Sequence, residues 1–447
     1  MTADVSKERS RNYLSQIKGA VGYKAVAMLA SFLAIPLMIR YLGQEQFGVW
    51  STMLTLMSWV VFFDLGIGNG LRNKVAEALA RNDKVEAANF IASGYSLIGL
   101  IAVALWVLLT GISFFVPWQA VFNTQVIQEA TLRLTVQVAL FFVVFNFWLG
   151  LINALLGAVQ KTAMAALGQL IANVLALLFV FVLTQTTQAS ITYLALTYGI
   201  SLVAANLILS YWFNQRYREL RPKVSLDKTH IHPLLSIGLK FFTIQMAVLV
   251  IFTTDKMLIT QLFGPQHVAQ YEVIFKLFSV ITFAHALISA PLWSAYTDAY
   301  HRGDMGWIKR MLRKQLHIFS GIVIAVFVIG LLAQPVIAIW IGPEMVVSLP
   351  LVITIGIFVL VSAWNNIYAM FVNGIGDIRI QLYTSIIAML LNVPLSVLFV
   401  KYFSLGLSGI VLATIVSLSL AAIALPVQVS SILNGRIMRG NTSARQT

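Results

Sequence analysis

The chain has no cysteine among its 447 residues, which excludes disulfides and thiolate metal sites. It is also poor in charge: Asp, Glu, Lys and Arg make up 10% of it, whereas 59% is hydrophobic. With a mean hydropathy of +0.86, this composition excludes an ordinary soluble fold. Histidine is sparse, and none of His230, His232, His267, His285, His301 and His317 forms an HExxH-type pair. The short spacing His230-x-His232 falls in a basic stretch and gives no metal-ligand pattern. Acidic residues number 16 against 30 Lys and Arg, a net charge of +14. In a soluble protein that excess would suggest nucleic acid; here its distribution along the chain decides.

What is present is a series of apolar runs of about twenty residues, each long enough to cross a hydrocarbon core of ~30 Å. Twelve spans can be placed, at 19–41, 47–71, 88–116, 131–158, 163–184, 191–213, 234–263, 268–299, 318–341, 349–373, 380–400 and 407–429. The expected fold class is an all-α polytopic membrane protein of about 12 transmembrane helices. The N-terminal stretch is polar and basic, and no small-residue cleavage site follows a short apolar core. The first span is therefore read as an uncleaved helix. A basic connection at 214–232 divides the chain nearly in half. The expected organisation is a six-helix bundle at 1–213, a cytoplasmic linker at 214–232, a second six-helix bundle at 233–430 and a cytoplasmic tail at 431–447.

Twelve spans put both termini on one side, and 23 of the 30 Lys and Arg then fall on that side. Arg40, Arg133 and Lys401 fall opposite, while Lys24, Lys240, Lys256 and Lys276 lie within spans. A wrong helix count would scramble this alternation. The basic charge therefore reads as topology with cytoplasmic termini, not as a nucleic-acid surface.

An internal repeat accompanies the division. Sliding the sequence by 221 residues brings 40–83 onto 261–304 without a gap, so that Gly43 meets Gly264, Ser58 meets Ser279 and Asp83 meets Asp304. A shift of 219 brings Asn146 onto Asn365 and Asn173 onto Asn392. Six spans in each half give the two copies the same orientation. The expectation is a parallel repeat with a pseudo-two-fold axis along the membrane normal and a cavity between bundles.

The hairpin at 255–285 carries most of the ionisable groups placed at membrane depth: Asp255, Lys256, Glu272, Lys276 and His285. Such groups are costly in lipid and mark pathways or ligands. Lys256 precedes the Gly264-Pro265 turn by eight residues and Lys276 follows Gly264 by twelve. At 1.5 Å per residue they lie about 12 Å and about 18 Å below the turn, too deep to snorkel easily. Two readings stand: structural neutralisation, with Glu272 and Lys276 four apart on one helix face, or a ligand or ion site. Lys24 lies near the cytoplasmic edge, within snorkelling reach. Asp64, just before the run Gly66-Ile-Gly68-Asn-Gly70, aligns with His285 under the 221 shift. If both helices line the cavity, the pair suits proton transfer or gating; capping at the glycine kink is the plainer reading of Asp64. The glycine run lacks the strand–turn–helix setting of a dinucleotide fingerprint.

The stretch IPLMIRYLGQEQFGVWSTMLTLMSWVVFFDLGIGNGLRNKVAEALARND, with TTDKMLITQLFG and PLWSAYTDAYHRGD, resembles the polysaccharide transporters of the multidrug/oligosaccharidyl-lipid/polysaccharide (MOP) superfamily, and most of all the Wzx-type flippases. The resemblance implies two six-helix bundles in a V, alternating access, and movement of an undecaprenyl-diphosphate-linked oligosaccharide from the inner to the outer leaflet of the bacterial cytoplasmic membrane. It implies cationic side chains for the diphosphate, carried here by Lys256, Lys276 and Lys24. Arg133, at the outer start of the fourth span, joins them as a headgroup candidate, although its place also suits the interface. Deep arginine is absent from these spans, so lysine would act as a point charge without bidentate geometry. Coupling to H⁺ or Na⁺ would fall to Asp64, Asp255, Glu272 or His285, with no other cofactor. The implied partners are the lipid-linked glycan, membrane lipids, and the glycan polymerase and glycosyltransferases of the same pathway.

Two other classes are weighed against this. A multidrug or organic-cation antiporter of the same superfamily needs an acidic site, and the first span has no carboxylate. A membrane glycan polymerase or ligase needs a large outer loop, whereas the longest here, 117–130, offers one acid, Glu129, and no histidine.

Overall fold

In a computed structural model, the structure describes residues 2–60, 66–221, 225, 227, 229–234, 253–289, 292–301 and 303–434. The described residues are almost entirely helical. They form α1 (Thr2–Val60), α2 (Ile67–Ala80), α3 (Lys84–Ser113), the short α4 (Trp118–Phe122), α5 (Glu129–Leu149), α6 (Leu151–Ala158), α7 (Thr162–Thr186) and α8 (Ile191–Arg216). There follow α9 at 253–263, α10 (Gln266–Ser289), α11 (Leu292–His301), α12 (Met305–Trp340), α13 (Leu349–Ile375), α14 (Arg379–Lys401) and α15 (Gly406–Leu433).

Among the described residues, ten helices are long and apolar enough to cross a membrane, and the first, Gly19–Val60, is two passes joined at Gly43. At Gly43 the backbone turns to φ 76° and ψ 168°, a conformation open to glycine and costly for other residues. The expected seventh span is described only from residue 253 onward. The all-α, multi-span expectation holds. Two boundaries differ from it. The fourth span is two helices meeting at Gly150, and the ninth begins well before residue 318, the basic stretch from Met305 forming the first turns of the 36-residue α12. No proline interrupts α12 before Pro335, and Asp304 caps its start by accepting the Trp307 N–H at 2.9 Å.

The chain forms two compact units, one of Met1–Met246 with Gly264–Gln266, the other of Ala247–Phe263 with His267–Thr447. In the first, α1 packs on α7, α3 on α5, and α8 on α5 and α7. The expected linker at 214–232 touches this unit at two described residues: the Ser225 N–H donates to Ser96 Oγ at 3.0 Å, and the His230 ring meets Phe90 edge-on at 4.9 Å. In the second unit, α14 and α13 pack on α15, while α11 and α12 pack on α13. Its core gathers Tyr296, Ile308, Phe371, Val372 and Leu425.

The two copies of the 221-residue repeat match in their backbone details. Gly43 and Gly264 both have positive φ, 76° and 95°. Asn82 and Gly303 end the following helices at φ 60° and 72°. Asp83 caps α3 through the Glu86 N–H as Asp304 caps α12 through that of Trp307. Ser58 Oγ donates to the Thr55 carbonyl and Ser279 Oγ to that of Lys276, each at 2.6 Å. At the 219-residue match the bonds differ: Asn173 donates to the Ala27 carbonyl at 2.9 Å, whereas Asn392 accepts from the Thr254 hydroxyl at 3.3 Å.

Close approach of helices relies on small residues, as expected where lipid supplies no hydrophobic drive for association. A Cβ on Gly199 would lie 2.2 Å from the Phe142 ring, and one on Gly168 would lie 2.4 Å from Leu209. Gly199→Ala is therefore expected to force α5 and α8 apart, at a cost of about 1–3 kcal/mol. The check is a lower unfolding temperature in detergent; an unchanged one would contradict the packing.

Candidate functional site

The hairpin of α9 and α10 turns at Gly264, whose φ of 95° favours glycine. Lys256 stands eight residues before that glycine and Glu272 eight after it, so an antiparallel helix pair sets them at one depth. Lys256 Nζ meets Glu272 Oε2 at 2.5 Å, with the two side chains 23% and 20% exposed. Beside the expected pairing of Glu272 with Lys276 along one helix, the carboxylate thus reaches across the hairpin to Lys256. Lys276 is half-buried one turn further down α10, and its carbonyl accepts the Ser279 hydroxyl.

Asp255 has a different environment from Lys256. It is 5% exposed, and its two oxygens accept the Tyr271 hydroxyl at 3.2 Å and the Thr414 hydroxyl at 3.3 Å. Thr414 Oγ1 accepts from Asn392 Nδ2 at 2.8 Å, and Asn392 Oδ1 accepts from Thr254 at 3.3 Å. Asn392 and Thr414 are 0% and 1% exposed. Four helices of the second unit, α9, α10, α14 and α15, thus close a dry polar cluster around one carboxylate. The Thr414 hydroxyl has one proton and two acceptors near it, Asp255 Oδ1 and the Ile410 carbonyl at 3.4 Å. Bonding one leaves the other to a different partner.

His285 lies lower on α10, 5% exposed, with Nε2 enclosed and without a hydrogen-bond partner. Its carbonyl accepts the Ser289 hydroxyl at 2.8 Å. Asp64, expected to answer it, lies outside the described residues. Lys24 is exposed on α1. Arg133 is held within the first unit, Nη2 at 3.5 Å from Glu129 Oε1; Glu129 also accepts the backbone N–H groups of Trp118 and Gln119, at 3.0 and 2.8 Å. Arg133 is thus part of the brace around α4. The structure brings together Asp255, Lys256 and Glu272 on the hairpin, and leaves Lys24 and Arg133 on the other unit.

The first copy of the repeat is neutral at the matching positions. Ala34, Ile35, Ser51 and Thr55 stand where Asp255, Lys256, Glu272 and Lys276 do, and all four are buried. Sequence reasoning missed Tyr271, Asn392 and Thr414 as parts of the site. Asn392 was visible as a repeat match, but its partner Thr414 and the distant Asp255 were not. Among the described residues no group of three His, Cys, Asp or Glu gathers as a metal cluster. The groups that meet at Asp255 are instead one carboxylate and two hydroxyls, those of Tyr271 and Thr414, oxygens that suit a proton or a hard cation.

Residues 21–293 match the family described as polysaccharide biosynthesis protein, and residues 242–398 match the MatE family. The chain belongs to the polysaccharide biosynthesis protein family. It is 24% identical over 401 residues to a protein of Salmonella typhimurium named "Putative O-antigen transporter", covering 87% of this chain and 89% of that one. It is 21% identical over 363 residues to a Yersinia pseudotuberculosis protein named "Putative O-antigen export protein", covering 80% and 83% of the two chains. In fold it is similar to a multidrug-resistance MATE transporter of the MOP superfamily in an inward-facing conformation. That similarity has a TM-score of 0.76 at 16% identity and covers 94% of this chain and 99% of that one. This member of the polysaccharide biosynthesis protein family is a multi-span helical chain with the fold of that MATE transporter.

The cross-hairpin pair makes a quantitative expectation. Glu272→Gln removes the carboxylate opposite Lys256 in a low-dielectric site and is expected to cost about 3 kcal/mol. Lys256→Gln combined with Glu272→Gln is expected to recover much of it, giving a coupling energy of about 1–3 kcal/mol in a double-mutant cycle. Thermal unfolding of the four proteins measures this. Additive losses would mean that the two charges do not stabilise each other.

Proposed function

We propose that this transporter moves a polyprenyl-diphosphate-linked oligosaccharide from the inner to the outer leaflet of the bacterial cytoplasmic membrane by alternating access. The termini lie on the cytoplasmic side in this reading. The carrying observation is the placement of charge: Lys256, Glu272 and Lys276 occupy membrane depth in one copy of a repeat whose other copy is neutral there. Folding does not require that asymmetry, whereas an anionic headgroup does require a local positive field. With Asp255 enclosed by Tyr271 and Thr414, the hairpin offers two ammonium groups against the one remaining carboxylate, Glu272. Lysine point charges attract a diphosphate without clamping it, which suits a substrate that must be released.

The Asp255 cluster supports gradient coupling. A proton on Asp255, or a Na⁺ held by its carboxylate with the hydroxyl oxygens of Tyr271 and Thr414, would neutralise the buried charge and shift the balance between two conformations. The O-antigen names of the relatives support the glycan reading. The MATE fold fits an organic-cation antiporter as well, but the two lysines on the hairpin weigh against a cationic substrate. Glycan polymerase and glycosyltransferases of the same pathway are the expected working partners.

The test is glycan export in a flippase-null strain. Lys276→Ala is expected to lower surface glycan at least tenfold at equal expression, and Lys276→Arg to retain more than Lys276→Ala. Asp255→Asn is expected to abolish the response to a collapsed H⁺ or Na⁺ gradient, and imposing each gradient separately distinguishes the ions. Full export by Lys276→Ala would overturn the headgroup role. An unaltered gradient response in Asp255→Asn would overturn the coupling role.

A further inference from the structure

A cavity of about 850 Å³ lies within the first unit, between α3, α5, α6 and α8. Its polar lining is confined to one end, where Tyr95, Ser96, Ser210 and Asn214 stand; the rest is aliphatic and aromatic. That end carries the basic connection. Ser225 bonds to Ser96, and Arg221 Nε donates to the Asn214 carbonyl at 3.1 Å, so two lining residues are also anchors for this segment. Arg216, Arg218 and Arg221 are exposed around them. The positive-inside count assigns this end to the cytoplasmic face.

The depth of the cavity is set by α3. From Ser96 to Trp106 the helix rises about 15 Å, half of a ~30 Å hydrocarbon core, so the cavity is about one leaflet long. The Trp106 and Phe141 rings meet edge to face at 6.2 Å. Both also border a smaller cavity of about 380 Å³, where Thr110 Oγ1 and Gln137 Nε2 are buried without hydrogen-bond partners. Polar groups therefore limit an apolar occupant at that point. Leu100 and Val103 on the rim are 60% and 61% exposed, and an apolar opening at membrane depth suits hydrocarbon rather than water.

We infer that this cavity binds one acidic glycerophospholipid of the inner leaflet, an acyl chain lying along α3 as far as Trp106 and the phosphate held by Arg218 and Arg221. The match is threefold: an apolar channel one leaflet deep, a polar band at its mouth, and exposed guanidinium groups where an anionic headgroup would sit. Arginine in that position favours acidic over zwitterionic lipid. Because the Ser225 and Arg221 bonds tie the mouth to the segment between the halves of the chain, a bound lipid would also brace that segment.

Native mass spectrometry of the delipidated full-length protein, titrated separately with phosphatidylglycerol and phosphatidylcholine, tests this. One phosphatidylglycerol is expected to bind at least tenfold more tightly than phosphatidylcholine. Val103→Trp, which fills the channel from an exposed rim position, is expected to weaken phosphatidylglycerol binding about tenfold. Leu100→Trp provides a second filling variant should the first fail to fold. Arg218→Gln with Arg221→Gln is expected to bring the two lipids within about twofold. Equal affinity of the wild type for the two lipids, or unchanged phosphatidylglycerol binding in the folded Trp variant, would overturn the assignment.

Discussion

An ammonium or carboxylate taken from water into hydrocarbon loses its solvation, and it stays ionised only where a partner is already in place. The Lys256–Glu272 contact meets that condition with two side chains on separate helices, and the hairpin provides the geometry. Gly264 closes the turn with a positive φ, which sets residues equally far from it at the same depth. Without the turn the two charges would have no common level, and neither could remain in the membrane-spanning segment as an ion. Asp255, one residue from Lys256, is turned toward Tyr271, Thr414 and Asn392. Adjacent residues on α9 thus serve two environments, because successive side chains on a helix point about 100° apart.

Much of the architecture was legible because lipid restricts the choices so strongly. Apolar length gave the spans, the Lys and Arg alternation gave an expected count, and the 221-residue shift found pairs whose backbones match, down to the caps at Asp83 and Asp304. Helix ends were less legible. The polar start of α12 reads as a linker by composition, yet nothing in it breaks a helix, and a cap three residues before Trp307 starts one. The charged residues of the hairpin were legible, but the contact between its two helices was not. Spacing along one helix favours Glu272 with Lys276, since i and i+4 share a face. The alternative required counting outward from the turn, which identifies Lys256 directly. Thr414 was beyond such counting: it lies 159 residues from Asp255 and meets it only through tertiary packing.

The repeat gives each unit a similar frame, and the two frames carry different chemistry. The second has the charged hairpin and a buried carboxylate cluster; the first, neutral at the matching positions, has the apolar cavity with an arginine-rich mouth. Duplication followed by specialisation of one copy is a direct physical route to such a division, because a folded frame tolerates exchange of lining residues more readily than exchange of packing glycines such as Gly199.

The central claim is that the hairpin charges serve an anionic lipid-linked substrate driven by an ion gradient. The most direct measurement is leaflet transfer of a fluorescent polyprenyl-diphosphate oligosaccharide in proteoliposomes containing the purified protein, with H⁺ or Na⁺ gradients imposed in turn. The account predicts transfer that depends on the protein and is accelerated severalfold by one of the two gradients. Transfer no faster than in protein-free vesicles under either gradient, together with gradient-driven uptake of an organic cation, would contradict it.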